Sequence, residues 1–450
     1  MHIALVILAA GKGTRMQSDL PKVLHPLASA PLLVHAMQAG TTLSPEKTVV
    51  VAGHGADLVR RAALAHDETC TVVEQTEQLG TAHAAAQART ALAGFDGTVI
   101  VLFGDTPFVS PETLEAMTKA QTTHDVVVLG FEAADPGRYG RLVMDGDQLD
   151  RIVEYKDASD AERAITLCNS GVMACNSTLL FELIDAVGSD NAAGEYYLTD
   201  VVGLARSRGL SATVVRCDES ETLGINSRAE LASAEAAFQT RARARAFEDG
   251  VTMPAPETVH FAFDTIVGRD TVIEPNVVFG PGVTVESGAT LRAFSHLEGC
   301  HVARGSVIGP YARLRPGAEL SEDVRIGNFV EVKNARIGQG TKINHLSYIG
   351  DATLGEQTNV GAGTITCNYD GVMKHHTYIG DHVFIGSNTM LVAPVSVGDH
   401  AMTGSGSVIT SDVEPEALAL SRAPQIEKPG MATKLFSILK AKKAQQQRGS

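Results

Sequence analysis

Near the amino terminus, Ala9-Ala10-Gly11-Lys12-Gly13-Thr14-Arg15-Met16 is followed closely by Leu20-Pro21-Lys22. Glycines let the main chain come close to a ligand, and successive N–H groups can form an anion-binding concavity. Arg15 and Lys22 add full positive charges, so the segment suits the phosphates of a nucleoside triphosphate. A plain strand-to-helix turn is the alternative reading of a glycine pair. The third glycine of the dinucleotide fingerprint is missing, and no G-x-x-x-x-G-K-[ST] spacing occurs. Much further along, Gly104-Asp105 ends another apolar run. A carboxylate there could share Mg²⁺ with phosphate oxygens; with Thr106-Pro107 next, it could equally be a turn or N-cap aspartate.

Elements must bring these groups together. Ile3-Ala4-Leu5-Val6-Ile7-Leu8 is an uninterrupted apolar run, the pattern of a strand buried on both faces. Residues 23–40 read as a helix, 48–53 as a strand, 56–65 as a helix, 70–74 as a strand and 81–93 as a helix. Residues 98–103 and 125–130 supply two more strands. This alternation predicts a mostly parallel, Rossmann-like α/β sheet whose ligands sit beyond the carboxyl ends of the strands. That rule puts Gly11–Arg15 and Gly104-Asp105 on one rim. Residues 228–247 read as a helix ended by Gly250, Pro254 and Pro256, with Arg241, Arg243 and Arg245 on a solvated face.

From Val267 the period changes to six. Apolar residues recur at Ile273, Phe279, Val285, Leu291 and Leu297, and the count resumes at Ile308, Leu314, Leu320, Ile326 and Val332. Ile337, Ile343, Ile349, Leu354, Val360, Ile379, Ile385, Leu391 and Val397 continue it, often with glycine next. No helix has this period. Three hexads close one coil of a parallel β-helix, and on the order of nine coils fit between Val259 and Val413. The rhythm fails between Thr366 and Ile379, where a polar segment containing Asn368, Tyr369, His375 and His376 intervenes. An excursion from a regular prism is a natural place for a site.

Composition limits the partners. The 450 residues suffice for two or three domains; 37 Lys and Arg face 52 Asp and Glu, net −15, which argues against nucleic acid or an anionic membrane. Hydrophobic content of 44% and mean hydropathy of +0.04 fit a globular protein. With no apolar run near spanning length and no leader, a soluble cytoplasmic protein without membrane insertion is expected. Six cysteines without a C-x-x-C pair read as reduced structural thiols.

Residues 8–16, Leu20-Pro21-Lys22, Gln78-Leu79-Gly80-Thr81 and Gly104-Asp105 together resemble the sugar-nucleotidyltransferase family. With the hexapeptide half, nearly the whole chain is similar to the bacterial bifunctional N-acetylglucosamine-1-phosphate uridylyltransferases/glucosamine-1-phosphate acetyltransferases. The resemblance implies a uridylyltransferase domain over 1–227, a linker helix over 228–250, and a left-handed β-helix acetyltransferase domain with its tail over 251–450, assembled as a homotrimer. It implies that acetyl-CoA acetylates glucosamine 1-phosphate and that UTP then converts the product to UDP-N-acetylglucosamine, for the cell envelope. Leu8, Ala9, Ala10 and Gly11 would line the nucleotide, Arg15 the triphosphate, and Lys22 the phosphate under attack. Gln75, Gly80 and Thr81 would recognise uracil; Phe103 and Gly104 would lie beside the nucleotide-sugar; Asp105 and Asn226 would hold Mg²⁺; Gly140, Glu154 and Asn169 would bind the sugar. Phe103 stands where relatives often carry Tyr.

For the second reaction an amine must lose a proton to attack a thioester, work suited to histidine. His345 is the candidate base, with Glu331 orienting it. The resemblance assigns Arg315, Lys333, Tyr348 and Asn359 to glucosamine 1-phosphate. It assigns Ala362, Asn368, Tyr369, Ser387, Ser405 and Arg422 to acetyl-CoA or the acetyl group, with Ser405 replacing a common Ala. Lys434, Lys440, Lys442, Lys443 and Arg448 read as a solvated tail. Alternatives are another sugar-1-phosphate nucleotidyltransferase fused to a β-helix, a non-catalytic regulatory subunit, or a zinc site for CO₂ hydration. The last would draw on His296, His301, His375, His376, His382 and His400.

Overall fold

The computed structural model describes residues 2–448. They form two compact units, one comprising residues up to Arg245 together with Phe261–Asp264, the other Ala246–His260 and the chain from Thr265 onward.

In the first unit, β1 (Ile3–Ala9) is buried along its whole length, because strands flank it on both edges and cores cover both faces. Its neighbours are β2 (Lys47–Ala52) and β4 (Thr98–Phe103), both parallel to it. With β3 (Thr71–Glu74), β5 (Val126–Glu132), β8 (Leu167–Asn176) and β9 (Ala212–Cys217), the order is β9-β5-β8-β4-β1-β2-β3. Only β8 runs against its neighbours along this path. A hairpin of β6 (Arg141–Asp145) and β7 (Gln148–Val153) joins at β8. The α/β expectation therefore stands.

Two helices are shorter than expected. The expected helix over 23–40 is a 3₁₀ turn at Lys22–Leu24, a small ribbon of Pro26–Leu27 with Ala30–Pro31, and an α-helix only from Leu32–Ala39. Ala28 and Ser29 turn the ribbon with φ of 47° and 69°. The expected helix over 81–93 ends as regular α-helix at Ala86. Beyond these, one 21-residue helix spans Arg228–Glu248.

The second unit is a parallel β-helix. Each short strand pairs in register with one on the next coil, at Thr290↔Val307 and Val307↔Arg325 for example. One of its faces is a ladder of nine strands. From Ile273 to Val397, the apolar residues of the six-residue pattern are all buried. The coils are not uniform, because several rungs have five residues instead of six: Ala335 pairs with Ala352, 17 positions on, whereas Cys300 pairs with Ala318. Corners are turned in the left-handed backbone region, by glycines and also by Asn276, Phe294, Tyr311, Phe329 and Leu346, with φ between 51° and 61°. The excursion after Thr366 stretches one coil, so that Ala352 pairs with Thr377. No helix among the described residues is long and apolar enough to cross a membrane. The six cysteines are all free thiols.

Candidate active sites

The first site lies where β1 and β4 end side by side. Gly104 N–H donates to Leu8 O at 3.0 Å, so the loops leaving both strands begin together. Lys22 Nζ donates to the Asp105 carboxylate and, at 2.9 Å, to Asn226 Oδ1. Asn226 arrives through a main-chain bond, Ile225 N–H to Asp105 O at 3.0 Å. Glu230 then fastens the start of the long helix, accepting from the Asn226 and Ser227 N–H groups at 2.6 and 3.0 Å. Arg228 ties that start back to the glycine loop, donating to Met16 O at 3.3 Å and to His25 Nδ1 at 3.2 Å. Burial, and then the Arg228 charge, hold the His25 imidazole below its ordinary pKa.

Gly13 has φ of +59°, and a Cβ there would sit 2.5 Å from Lys22 Cβ. The Lys22 stem can reach the cleft only over a glycine. Arg15 lies on the 3₁₀ turn Thr14–Met16 with its side chain exposed. Thus Lys22, Asp105 and Asn226 converge, while Arg15 faces solvent on the same loop. Asp105 and Asn226 offer hard oxygens, the donors Mg²⁺ takes, and the Lys22 ammonium bridges them as a cation would. The donor set fits Mg²⁺.

Beside this cleft, Gln78 Nε2 donates to Ala10 O at 2.8 Å, joining the Leu8–Gly11 segment to residues 75–81. Buried Gln75 donates to Gly80 O at 3.2 Å, and Thr81 Oγ1 accepts from Leu198 N–H at 2.9 Å. Gly140, Glu154 and Asn169 also meet. Asn169 N–H donates to Gly140 O at 2.9 Å, and a Cβ on Gly140 would lie 3.5 Å from Glu154 Oε1. Burial pushes the Glu154 carboxyl upward, with Asp157 and Asp200 adding to it and the Thr199 hydroxyl opposing. Phe103 packs against Gly171, where a Cβ would meet its ring at 2.6 Å.

The second site lies on the β-helix near the excursion. His345 is exposed, and its Nδ1 is 2.9 Å from Asn328 Oδ1. An amide oxygen facing the ring accepts from an Nδ1–H and leaves Nε2 pointing away from Asn328. The expected orienting contact from Glu331 is not made: Glu331 accepts from Arg315 at 2.8 Å and lies 3.8 Å from Arg313. Register explains the difference, because His345 pairs with Asn328 whereas Glu331 pairs with Tyr348.

Arg315, Lys333 and Tyr348 lie on successive coils, at or beside that register. Lys374, unremarked in the sequence, stands beside Lys333 and holds its ammonium below the ordinary lysine range. Such a cluster of cations suits a phosphate. Asn368 donates to Asp351, which also accepts from Asn334 at 2.6 Å. Burial raises Asp351, yet the Asn334 and Asn368 amides with Lys374 and Lys333 outweigh it and leave its pKa lowered. In the excursion, Asp370 accepts from the Val372 and Met373 N–H groups and from His375 at 2.7 Å, which drives its carboxyl down to about 2. Tyr369 is exposed, its hydroxyl donating to Gly371 O at 2.6 Å.

Asn359 lies half-buried between Lys342 and Phe384 in register. Ala362, Ser387 and Ser405 occupy matching places on three successive coils. Ala362 O accepts from Asn388 N–H at 2.7 Å and Ser387 O from Gly406 N–H at 2.8 Å. Arg422 reaches this stripe, donating to Ser405 O at 2.8 Å.

The histidines of the zinc alternative are dispersed. His301 is 3.1 Å from Glu286, His376 2.9 Å from Thr353, and His382 stacks on His400 at 5.0 Å. Among the described residues, no three His, Cys, Asp or Glu side chains group so as to hold a metal ion.

Comparison with known proteins agrees with both halves. Residues 5–196 match the MobA-like NTP transferase domain, and residues 376–411 match the bacterial transferase hexapeptide (six repeats). The chain is 81% identical over 450 residues to the bifunctional protein GlmU of Roseobacter denitrificans, covering 100% of both chains. It is 69% identical to that of a Ruegeria species and 70% identical to that of Ruegeria pomeroyi, again over 100% of each chain.

Proposed function

Because the chain belongs to the family of the bifunctional protein GlmU, we propose that its two sites carry out successive steps of sugar activation. It is a glucosamine-1-phosphate acetyltransferase and an N-acetylglucosamine-1-phosphate uridylyltransferase, and the assignment of each step to its residues is our reading. The observation that carries it is the meeting of Lys22, Asp105 and Asn226 beyond two parallel strands.

In the α/β unit, UTP lies along Leu8–Gly11 with its base toward Gln75, Gly80 and Thr81. The sugar lies by Gly140, Glu154 and Asn169. A phosphate oxygen of N-acetylglucosamine 1-phosphate attacks the α-phosphorus in line, the bond to the β-phosphate oxygen breaks, and pyrophosphate leaves. The nucleophile is already ionised, so positioning and charge neutralisation supply the rate. Lys22 neutralises the phosphate under attack, and exposed Arg15 closes onto the triphosphate. Asp105 and Asn226 would hold Mg²⁺, which would supply a further positive centre for phosphate oxygens.

In the β-helix, Arg315, Lys333 and Lys374 hold the phosphate of glucosamine 1-phosphate, with Tyr348 and Asn359 on the sugar. His345 Nε2 takes a proton from the amine while the nitrogen attacks the thioester carbonyl. The carbon–sulfur bond then breaks and the CoA thiol leaves with that proton. Asn328 steadies the protonated ring through Nδ1. Acetyl-CoA runs along Ala362, Ser387 and Ser405 toward Arg422, with Asn368 and Tyr369 near the acetyl group.

We propose a homotrimer. An exposed ladder, Phe294 on Tyr311 at 4.9 Å and Tyr311 on Phe329 at 5.4 Å, leads along one corner to exposed Leu346 beside His345. Val372 and Met373 of the excursion are exposed as well, and a second copy seated on the ladder would exclude water from the base. We place the enzyme in the cytoplasm, where UTP and acetyl-CoA are available. One experiment tests the reading: purified protein with UTP, Mg²⁺, acetyl-CoA and glucosamine 1-phosphate should release both thiol and pyrophosphate. Release of pyrophosphate should depend on acetyl-CoA unless N-acetylglucosamine 1-phosphate is supplied.

A further inference from the structure

Arg141 is the largest of the side chains that are almost wholly buried, at 2% exposure. A buried cation ordinarily has a carboxylate beside it, because leaving water is costly. This one has none as a hydrogen-bond partner. Its five N–H groups go to main-chain carbonyls: Nε to Arg163 O at 3.3 Å, Nη1 to Pro136 O at 3.2 Å and to Tyr139 O, and Nη2 to Gly137 O at 3.1 Å and Arg163 O at 3.3 Å. The planar fork thus has every donor satisfied.

The carbonyls come from two segments. Three belong to residues 136–139, which run directly into Gly140. The fourth belongs to Arg163, whose side chain crosses the Tyr155 ring at 4.9 Å and donates to Tyr155 O at 3.4 Å. Tyr155 adjoins Glu154. Arg141 therefore fixes one segment ending at Gly140 to another anchored next to Glu154. Tyr139, held by the same clamp, packs edge-on against Phe131 at 5.0 Å.

We propose that Arg141 is a positioning residue that sets the spacing of the sugar pocket and thereby its affinity for N-acetylglucosamine 1-phosphate, without touching the sugar. This rests on the reading of Gly140, Glu154 and Asn169 as sugar ligands. A lysine at 141 keeps the charge but cannot span four carbonyls at once. A small displacement of binding groups carries a large penalty, so Arg141→Lys in the full chain should raise KM for N-acetylglucosamine 1-phosphate about tenfold or more. KM for UTP and the acetyltransferase rate should stay near those of the parent. Selectivity over glucose 1-phosphate should fall as well, an effect that general loosening of the fold would not single out.

Asn169→Ala separates the two ways of being wrong. If it leaves the sugar KM unchanged, the sugar-site reading fails; if it raises that KM and Arg141→Lys does not, only the positioning role fails. Equal rises in both KM values for Arg141→Lys would also overturn it. Should Arg141→Lys fail to fold, Arg163→Ala decides, because it cuts the link from the second segment to Tyr155. It should raise KM for N-acetylglucosamine 1-phosphate and leave KM for UTP near the parental value, and an unchanged sugar KM would overturn the proposal.

Discussion

Lys22 Nζ lies 2.9 Å from Asn226 Oδ1, a contact across 204 positions of sequence, and the same nitrogen meets Asp105. The Lys22 and Asp105 side chains are only 12% and 18% exposed, so solvent screens the pair weakly. The ammonium sits between the two oxygens proposed for the metal, and lysine and cation therefore compete for one place.

Removing the lysine should favour the cation. In protein without nucleotide, Lys22→Met should bind Mn²⁺, a spectroscopic stand-in for Mg²⁺, more tightly than the parent, about tenfold by the charge it removes. Titration followed by electron paramagnetic resonance would read it. The same variant should be severely slowed in pyrophosphate release, because neutralisation in the transition state goes with the lysine.

Asp105→Ala should abolish pyrophosphate release and leave thiol release from acetyl-CoA at the parental rate. Its partners are Lys22 and the Ile225 N–H group, all within the first unit. Loss of both activities would contradict separate sites.

His345→Ala should do the reverse, lowering acetyl transfer by about 100-fold or more, the ordinary size of a general-base effect. Asn328→Ala should cost less, about tenfold, since the base remains and only its orientation is lost. A pH–rate profile distinguishes them: the limb due to a base should vanish in His345→Ala and persist in Asn328→Ala. Glu331→Gln should act through Arg315, raising KM for glucosamine 1-phosphate without removing that limb.

What could be foreseen and what could not divides along the range of the interactions. Buried β1 and the six-residue rhythm announce themselves because burial repeats along the chain, and Ile273 to Val397 are inward as their spacing requires. The helix over 23–40 misled because Val23, Leu27, Val34 and Met37 mimic a helical face, while Pro26 and Pro31 and the left-handed Ala28-Ser29 pair impose a ribbon. Asn328 escaped notice although it lies one 17-residue coil before His345. Knowing that some rungs hold five residues, one could have counted back to it. Lys374 sits where the period is lost, and the carbonyls around Arg141 leave no mark in residue types.

Glu154 provides a pH-dependent test. Its folded pKa is raised, chiefly by burial, so its charged form is disfavoured by folding. That cost is fully present above the folded pKa, fades as pH falls through it, and is absent below the ordinary carboxylate value. Glu154→Gln should therefore stabilise the first unit at neutral pH, with the gain vanishing in acid. It should also weaken sugar binding. Thermal melting across pH together with KM for N-acetylglucosamine 1-phosphate would check both parts.

The boundary of the first unit makes a final prediction. The long helix ends at Glu248, which invites truncation after Gly250, yet Phe261–Asp264 return to the first unit. Gln239, itself buried, grips Phe261 from both sides: its Oε1 accepts from Phe261 N–H at 2.8 Å and its Nε2 donates to Phe261 O at 2.7 Å. Phe263 N–H donates to Ala28 O at 2.8 Å, and the Phe263 ring meets buried His35 edge-on at 4.7 Å. A fragment ending at 250 would expose His35 and leave the Gln239 amide without its main-chain partners, a loss of about 2–5 kcal/mol. A fragment ending at 264 keeps both. The longer fragment should melt several degrees higher and retain uridylyl transfer; equal melting temperatures would show that Phe261–Asp264 contribute nothing to the unit.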